Sequence, residues 1–290
     1  MAIEERDPLT GHKTTGHEWN GIKELNTPVP RAVYFFLIAT TLFSLIYWIF
    51  MPAVPLGYTY TKGILGYDER DVIRRKLERA ALEQAPWRAA IEKQGFDAIE
   101  ADGDLMQKLR EAGRALFGGN CAVCHGIDAG GNAGFPNLAA GVLNWGDSPE
   151  AIQETIRVGI NSRHPDTRTA QMPAFGKEGM LPRADVKAVI TYVRDIGKSG
   201  SDHAAMTQPK GLEIFQNNCA ACHGDDARGQ VDLGAPNLTD ASWLYGGDLQ
   251  TIHDTVWHGR QGRMPSWENR LGPVDIKILA TYLHDLRKER

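Results

Sequence analysis

The chain has 290 residues, which corresponds to one to three domains. Hydrophobic residues make up 42% and charged residues 23%, a balance that excludes a polytopic membrane protein and a wholly disordered chain. The 36 acidic residues outnumber the 32 lysines and arginines, and this net charge of -4 gives no support for nucleic-acid binding.

One segment near the N-terminus is apolar enough to cross a membrane. Residues 33–51 read VYFFLIATTLFSLIYWIFM, without a charge, and at about 1.5 Å per residue this run spans a hydrocarbon core of about 30 Å. A buried core helix is the alternative. Polar residues precede the run and no convincing cleavage pattern follows it, so we expect an uncleaved anchor. The prediction is an N-terminal segment at 1–31 and a transmembrane anchor at 32–56.

Residues 57–110 are rich in both acidic and basic residues. Two solvated helices are expected there, over 68–84 and 86–100. The simplest interpretation is a charged helical arm that joins the anchor to the domains beyond it. A docking surface for a partner subunit is the alternative.

An internal repeat organises the rest of the chain. FGGNCAVCHG at 117–126 matches FQNNCAACHG at 215–224. We predict a first domain at 111–198, a hinge at 199–209 and a second domain at 210–290.

The two repeats share further features. Each closes on a helical pattern with apolar residues at i, i+3, i+4 and i+7. Gly113 and Gly211 lie on the opening helices, where a missing side chain allows another helix to cross closely. A Met-Pro pair occurs in both repeats, at Met172 and at Met264. The first repeat is longer by eight residues before its Met-Pro pair, in a polar stretch around 161–165 that indicates a surface loop.

The two Cys-x-x-Cys-His motifs indicate covalent haem attachment. Residues at i, i+3 and i+4 of a helical turn share one face, so two thiols can bond the vinyl groups of one haem while the imidazole reaches the iron. The residues are Cys121, Cys124 and His125 in the first repeat and Cys219, Cys222 and His223 in the second. Two covalently attached haems c are therefore expected, and they would stabilise small domains that are rich in loops.

Other uses of these motifs fit less well. Zinc sites commonly separate their two cysteine pairs by 15–20 residues, a spacing far shorter than the one between Cys124 and Cys219. A thioredoxin-like pair needs no adjacent histidine, and no βαβ pattern surrounds either motif.

Methionine is the expected sixth ligand of each iron. Met264 is the only methionine after His223, and Met172 is favoured over Met180 because it alone shares the repeated Met-Pro context. Packing in the core is the alternative role for both. Imidazole and thioether together fill both axial positions and raise the potential, which suits electron transfer. The sequence leaves open whether each methionine serves the haem of its own repeat or of the other.

Haem c is attached on the outer side of a bacterial energy-transducing membrane. Both domains are therefore expected in the periplasm and residues 1–31 in the cytoplasm. Four lysines and arginines in 1–31 against two in 52–71 agree weakly with this orientation.

The segment before the anchor carries a family resemblance. Residues 18–31, EWNGIKELNTPVPR, resemble the Trp-Asp-Gly-Ile box of subunit III of cbb3-type cytochrome c oxidases, the dihaem CcoP/FixP family, with Asn20 in place of the usual Asp. The resemblance extends from Gly16 to the C-terminus. It implies a mainly α fold with one N-terminal transmembrane helix followed by two tandem class I cytochrome c domains.

The resemblance also implies a role in aerobic respiration. Such a subunit accepts electrons from a soluble or membrane-anchored cytochrome c and passes them, through a monohaem subunit, to the haem–copper subunit that reduces oxygen. The chain would then contact these subunits and lipid, with no oxygen-reducing site of its own. The family's haem ligands carry over to Cys121, Cys124, His125, Met172, Cys219, Cys222, His223 and Met264.

Two other functions compete with this one. A free-standing, membrane-anchored dihaem cytochrome would have the same ligands, but would not need the Trp19–Arg31 box. A dihaem peroxidase needs an open iron position, which two matched Met-Pro sites disfavour.

Overall fold

The computed structural model describes residues 5–240 and 242–288. The chain forms two compact units, one up to Glu83 and the other from Gln84 onward. Most of the described residues with regular structure are helical, as expected.

The first unit begins with a β-hairpin that the sequence analysis did not predict. Strands β1 (Thr14–Trp19) and β2 (Ile22–Leu25) pair antiparallel. Asn20 and Gly21 connect them with positive φ angles of 48° and 86°, the conformation of a type I′ turn, which matches the twist of paired strands.

Helix α1 (Arg31–Phe50) coincides with the apolar run. It has 20 residues, a window of mean hydropathy 2.0 and no buried residue, so it is long and apolar enough to cross a membrane. Helix α2 (Glu69–Lys93) follows as one helix where two were expected. Pro86 lies within it; proline removes one helical hydrogen bond, but alanine, leucine and glutamate around it favour helix on both sides.

In the described part of the second unit, the end of α2 is followed by ten further α-helices and one short 3-10 helix, Val231–Leu233. In chain order the α-helices are α3 (Phe96–Ala101), α4 (Gly103–Asn120), α5 (Ala122–His125), α6 (Pro149–Val158), α7 (Arg183–Ser199), α8 (Ser201–Thr207), α9 (Pro209–Asn218), α10 (Ala220–His223), α11 (Leu249–His258) and α12 (Pro273–Lys288).

Two helices lie at the predicted domain boundaries. Helix α4 starts at Gly103, ahead of the boundary predicted at 111, and the Asp102 side chain caps it by accepting a hydrogen bond from the Leu105 N–H (3.0 Å). The segment 199–209, expected as a hinge, contains the helix α8, whose Ala204 is fully buried.

The helices of the two repeats exchange partners. Helices α4 and α6 of the first repeat pack against α12, which closes the second repeat. Helices α9 and α11 of the second repeat pack against α7, which closes the first. Each packing unit therefore combines the beginning of one repeat with the end of the other.

Two hydrophobic cores result from this exchange. The Cys121 core joins Phe117 and Ile152 to Trp267, Ile276 and Leu279, with Cys121 at its edge. The Cys219 core is built in the same way with the two repeats reversed, and Cys219 lies at its edge. It joins Phe215 and Ile252 of the second repeat to Phe175, Val189 and Tyr192 of the first.

The end of the charged arm is part of the core rather than solvated. Ile91 and Ile99 are fully buried and pack with Leu109 and Ile278 in a third cluster, the arm core. Ion pairs border it, Arg88 with Asp275 (2.5 Å) and Glu100 with His284 (2.6 Å) and Lys288 (2.7 Å).

Candidate haem-attachment site

Each Cys-x-x-Cys-His motif forms a short helical turn. The Cys124 and His125 N–H groups donate to the Cys121 carbonyl at 3.1 and 3.0 Å, and the second motif has the same bonds at 3.1 and 2.9 Å. In a helical turn of this kind residues i, i+3 and i+4 share one face, which is the arrangement expected of the two thiols and the imidazole. The amphipathic helix before each motif ends next to the first cysteine, which lies at the edge of its core.

Both imidazoles are oriented by a proline carbonyl. Nδ1 of His125 lies 3.1 Å from the Pro136 oxygen, and Nδ1 of His223 lies 3.0 Å from the Pro236 oxygen. A carbonyl only accepts, so Nδ1 carries the proton and Nε2 keeps a free lone pair. Burial lowers the pKa of both histidines, against the opposing effect of the carbonyl, and so favours the neutral imidazole that a metal needs.

An asparagine holds each proline carbonyl in place. Oδ1 of Asn137 accepts from the N–H groups of Ala139 (2.9 Å) and Ala140 (3.0 Å), and Oδ1 of Asn237 accepts from the Thr239 N–H (2.8 Å). These turns fix the backbone one residue after the proline. The repeated Pro-Asn-Leu sequence is thus a support for the histidine.

The first thiol of each motif is partly buried. Burial, with a smaller contribution from the neighbouring cysteine, raises the pKa of Cys121 to about 11 and that of Cys219 to about 12. These thiols stay protonated at neutral pH, unlike the exposed thiolate that a redox-active pair requires.

Each Met-Pro pair lies at the core of the other repeat's cysteine motif. Met264 packs against the Cys121 core, and Met172 packs against the Cys219 core. Backbone hydrogen bonds join the same partners. The Met264 N–H donates to the Ile160 carbonyl (2.9 Å), and the Met172 N–H donates to the Arg260 carbonyl (2.9 Å). Met180 is 52% exposed and belongs to neither described core.

The donor set fits a haem c at both positions. Each core edge offers two thiols, an imidazole with a free nitrogen and a partly buried thioether. Within residues 5–240 and 242–288, no three or more His, Cys, Asp or Glu side chains gather as a site for a free metal ion.

Two family models match most of the chain. The family model for the N-terminal domain of cytochrome oxidase-cbb3, FixP, matches residues 11–58, and the model for cytochrome c oxidase, cbb3-type, subunit III matches residues 108–193 and 207–283. The chain belongs to the subunit III family of the cbb3-type cytochrome c oxidases.

Relatives in this family match along nearly the whole chain. The cbb3-type cytochrome c oxidase subunit FixP of Bradyrhizobium sp. (strain ORS 278) is 44% identical, with 97% of both chains covered. The subunit CcoP of Azospirillum sp. (strain B510) is 43% identical, with 99% of both covered. The family, the mainly α fold with one apolar N-terminal helix, and the two cytochrome c-type domains in tandem are thus confirmed, and α1 anchors the chain in a membrane.

Sequence reasoning missed a pair of arginines in this subunit III chain. Arg168 lies over the ring of Trp145 (5.0 Å) and Arg260 lies over the ring of Tyr245 (4.2 Å). The signal available was the shared aromatic-Gly pair that precedes α6 and α11 at equivalent places in the repeats.

Proposed function

We propose that this chain is the dihaem electron-transfer subunit of a cbb3-type oxidase. It accepts electrons from a soluble or membrane-anchored cytochrome c and relays them through two His/Met haems c toward the haem–copper subunit, by way of the monohaem subunit. The observation that carries this proposal is the pair of matching Cys-x-x-Cys-His turns, each with a neutral imidazole whose Nε2 is free, in a chain of this family. The chain serves as a relay and leaves oxygen reduction to the catalytic subunit.

Haem c, when bound, supplies an iron that takes up and releases one electron. The chain's part is to attach and orient the group and to surround it with apolar side chains, which keep its potential high. The four cysteines would hold the haems through thioethers, His125 and His223 would bind the irons, and the Pro136 and Pro236 carbonyls orient the two imidazoles.

The methionines serve across the repeats in this proposal. Met264 would bind the iron of the haem held at Cys121, and Met172 would bind the iron of the haem held at Cys219. The exchange of α7 and α12 supports this assignment, because it brings each Met-Pro pair to the core edge that carries the other repeat's cysteines.

The orientation follows from the chemistry of attachment. Residues 1–31 lie in the cytoplasm and both haem domains lie in the periplasm of a bacterial inner membrane. The excess of lysine and arginine before the anchor supports this orientation.

The first experiment is purification in mild detergent through a tag on this chain. The pyridine haemochrome spectrum gives the ratio of haem b to haem c, and we expect haem b in fixed proportion. Haem c alone, at two per chain, would instead support the second candidate, a free-standing membrane-anchored dihaem cytochrome.

The second experiment tests the axial ligands. In a Cys121→Ala background one vinyl group survives, which moves the α band of that haem to longer wavelength and labels it. Met264→His should lower the midpoint potential of the labelled haem, and Met172→His that of the other. Met180→Leu is the matched control and should change neither. If Met172→His acted on the labelled haem, the crossed assignment would be wrong.

A further inference from the structure

Arg168 is a half-buried cation to which the described ion pairs assign no carboxylate partner. Its Nη atoms donate to the carbonyls of Trp145 (3.4 Å) and Ala151 (3.2 Å), and its Nε is buried without a hydrogen-bond partner. The nearby Glu154 carboxylate is already bound by both Nε and Nη2 of Arg157 (2.8 Å each). A guanidinium removed from water without an anion is unfavourable, so its position calls for a negative group.

The backbone of Arg168 lies beside the Cys121 core. The Arg168 N–H donates to the Gly159 carbonyl (3.1 Å). Ile160, the residue after Gly159, exchanges backbone hydrogen bonds with Met264. Trp145, under the guanidinium, precedes the helix α6 that lines the same core.

Arg260 occupies the matching place at the Cys219 core. Its backbone exchanges hydrogen bonds with Met172 (2.9 and 3.1 Å), and its guanidinium lies over Tyr245, the counterpart of Trp145. Its Nε donates to the hydroxyl of Thr255 (3.0 Å), and it too has no carboxylate partner among the described ion pairs.

The two arginines come from different places in the repeat. Arg260 follows Gly259 directly, whereas the residue after Gly159 is an isoleucine. Arg168 instead belongs to the segment that makes the first repeat eight residues longer, and its guanidinium lies over the Trp145 ring. The inserted segment thus supplies the positive charge that is missing at Ile160.

We propose that Arg168 and Arg260 are equivalent positioning residues, each supplying positive charge to the propionate carboxylates of one haem c. The inference rests on the proposed function. Carboxylate is the anion that a planar guanidinium binds best, and every haem c carries two. A fixed positive charge near an iron favours the reduced state, so each arginine raises the potential of its own haem.

The test is a redox titration of the detergent-purified full chain, in its complex where one forms. Arg168→Gln should shift the midpoint potential of one haem c downward, and Arg260→Gln that of the other. Arg163→Gln is the control, because Arg163 is an exposed arginine of the same insertion, and it should shift neither. Unchanged midpoints in both variants, or a shift of the same haem by both, would overturn the proposal.

A conservative variant keeps the test decisive if Arg168→Gln does not accumulate. Arg168→Lys retains the charge but loses the guanidinium, and the propionate bending band of one haem in resonance Raman spectra should move. An unmoved band would overturn the contact. Haem content is measured in parallel. Two haems c per chain with unchanged propionate bands in the variants would reject the arginine role alone. Fewer than two haems c per chain in the wild type would reject the proposed function.

Discussion

Gly113 of the first repeat lies directly against Tyr282 of the second. A Cβ at Gly113 would be 2.6 Å from the Tyr282 Cβ, closer than side chains pack. The relationship is repeated between Gly211 and Tyr192, again at 2.6 Å. The close helix crossing predicted for both glycines is therefore present, and in both cases the helix that crosses belongs to the other repeat.

Gly113→Ala should destabilise the protein even though alanine favours helix. The gain in helix propensity is at most about 1 kcal/mol, whereas overpacking a tight crossing typically costs about 1–3 kcal/mol. Gly119→Ala is the control on the same helix, because a Cβ there meets nothing within 4 Å. Thermal unfolding of the purified chain should give a lower midpoint for Gly113→Ala alone. Equal midpoints for the two variants would show that Tyr282 yields without cost.

The sequence could predict the parts of this fold but not their pairing. The cysteine motifs, the Met-Pro pairs and the amphipathic helices have local signatures. The exchange of α7 and α12 has none, because the two repeats present similar apolar faces and either packing would bury them equally well. The arm core was missed for a related reason: Ile91 and Ile99 are isolated among charged residues, and only contact with Ile278 shows that they are buried.

The support of the histidine by asparagine can be tested one haem at a time. Asn137→Ala removes the acceptor that holds two backbone N–H groups beside Pro136, so the carbonyl that orients His125 loses its anchor. We expect a change in the midpoint potential of one haem c and a loss of about 1–3 kcal/mol of stability for the unpaired groups.

Asn237→Ala is its matched control and should change the potential of the other haem only. Potentiometric titration of both variants decides the matter. A common change in both haems would mean that the asparagines act through general loosening of the fold.

The arm core predicts that part of the charged arm is structural. Ile99→Ala empties a fully buried position and should cost about 2–5 kcal/mol in free energy of unfolding. Leu82→Ala, on the exposed face of α2, should stay within about 0.5 kcal/mol of the wild type, since Leu82 is 76% exposed. Urea unfolding in detergent measures both. A neutral Ile99→Ala would indicate that the arm leaves α12 in solution.

The ion pairs of Glu100 make the arm sensitive to acid. Burial by itself would raise the pKa of Glu100, but hydrogen bonds from Lys288 and His284 outweigh it and hold that pKa below the ordinary 4.5. A carboxyl with a lowered folded pKa contributes stability that is complete above the unfolded pKa and is lost as the pH falls through the folded one.

The wild type should therefore be more stable than Glu100→Gln at pH 7, and this difference should shrink towards zero as the pH falls below about 4.5. Chemical unfolding of both proteins across this range measures the difference, with Asp97→Asn, an exposed acid on the same short helix, as the control for general charge effects. A difference that stays constant with pH would mean that the ionised Glu100 does not hold the arm to α12.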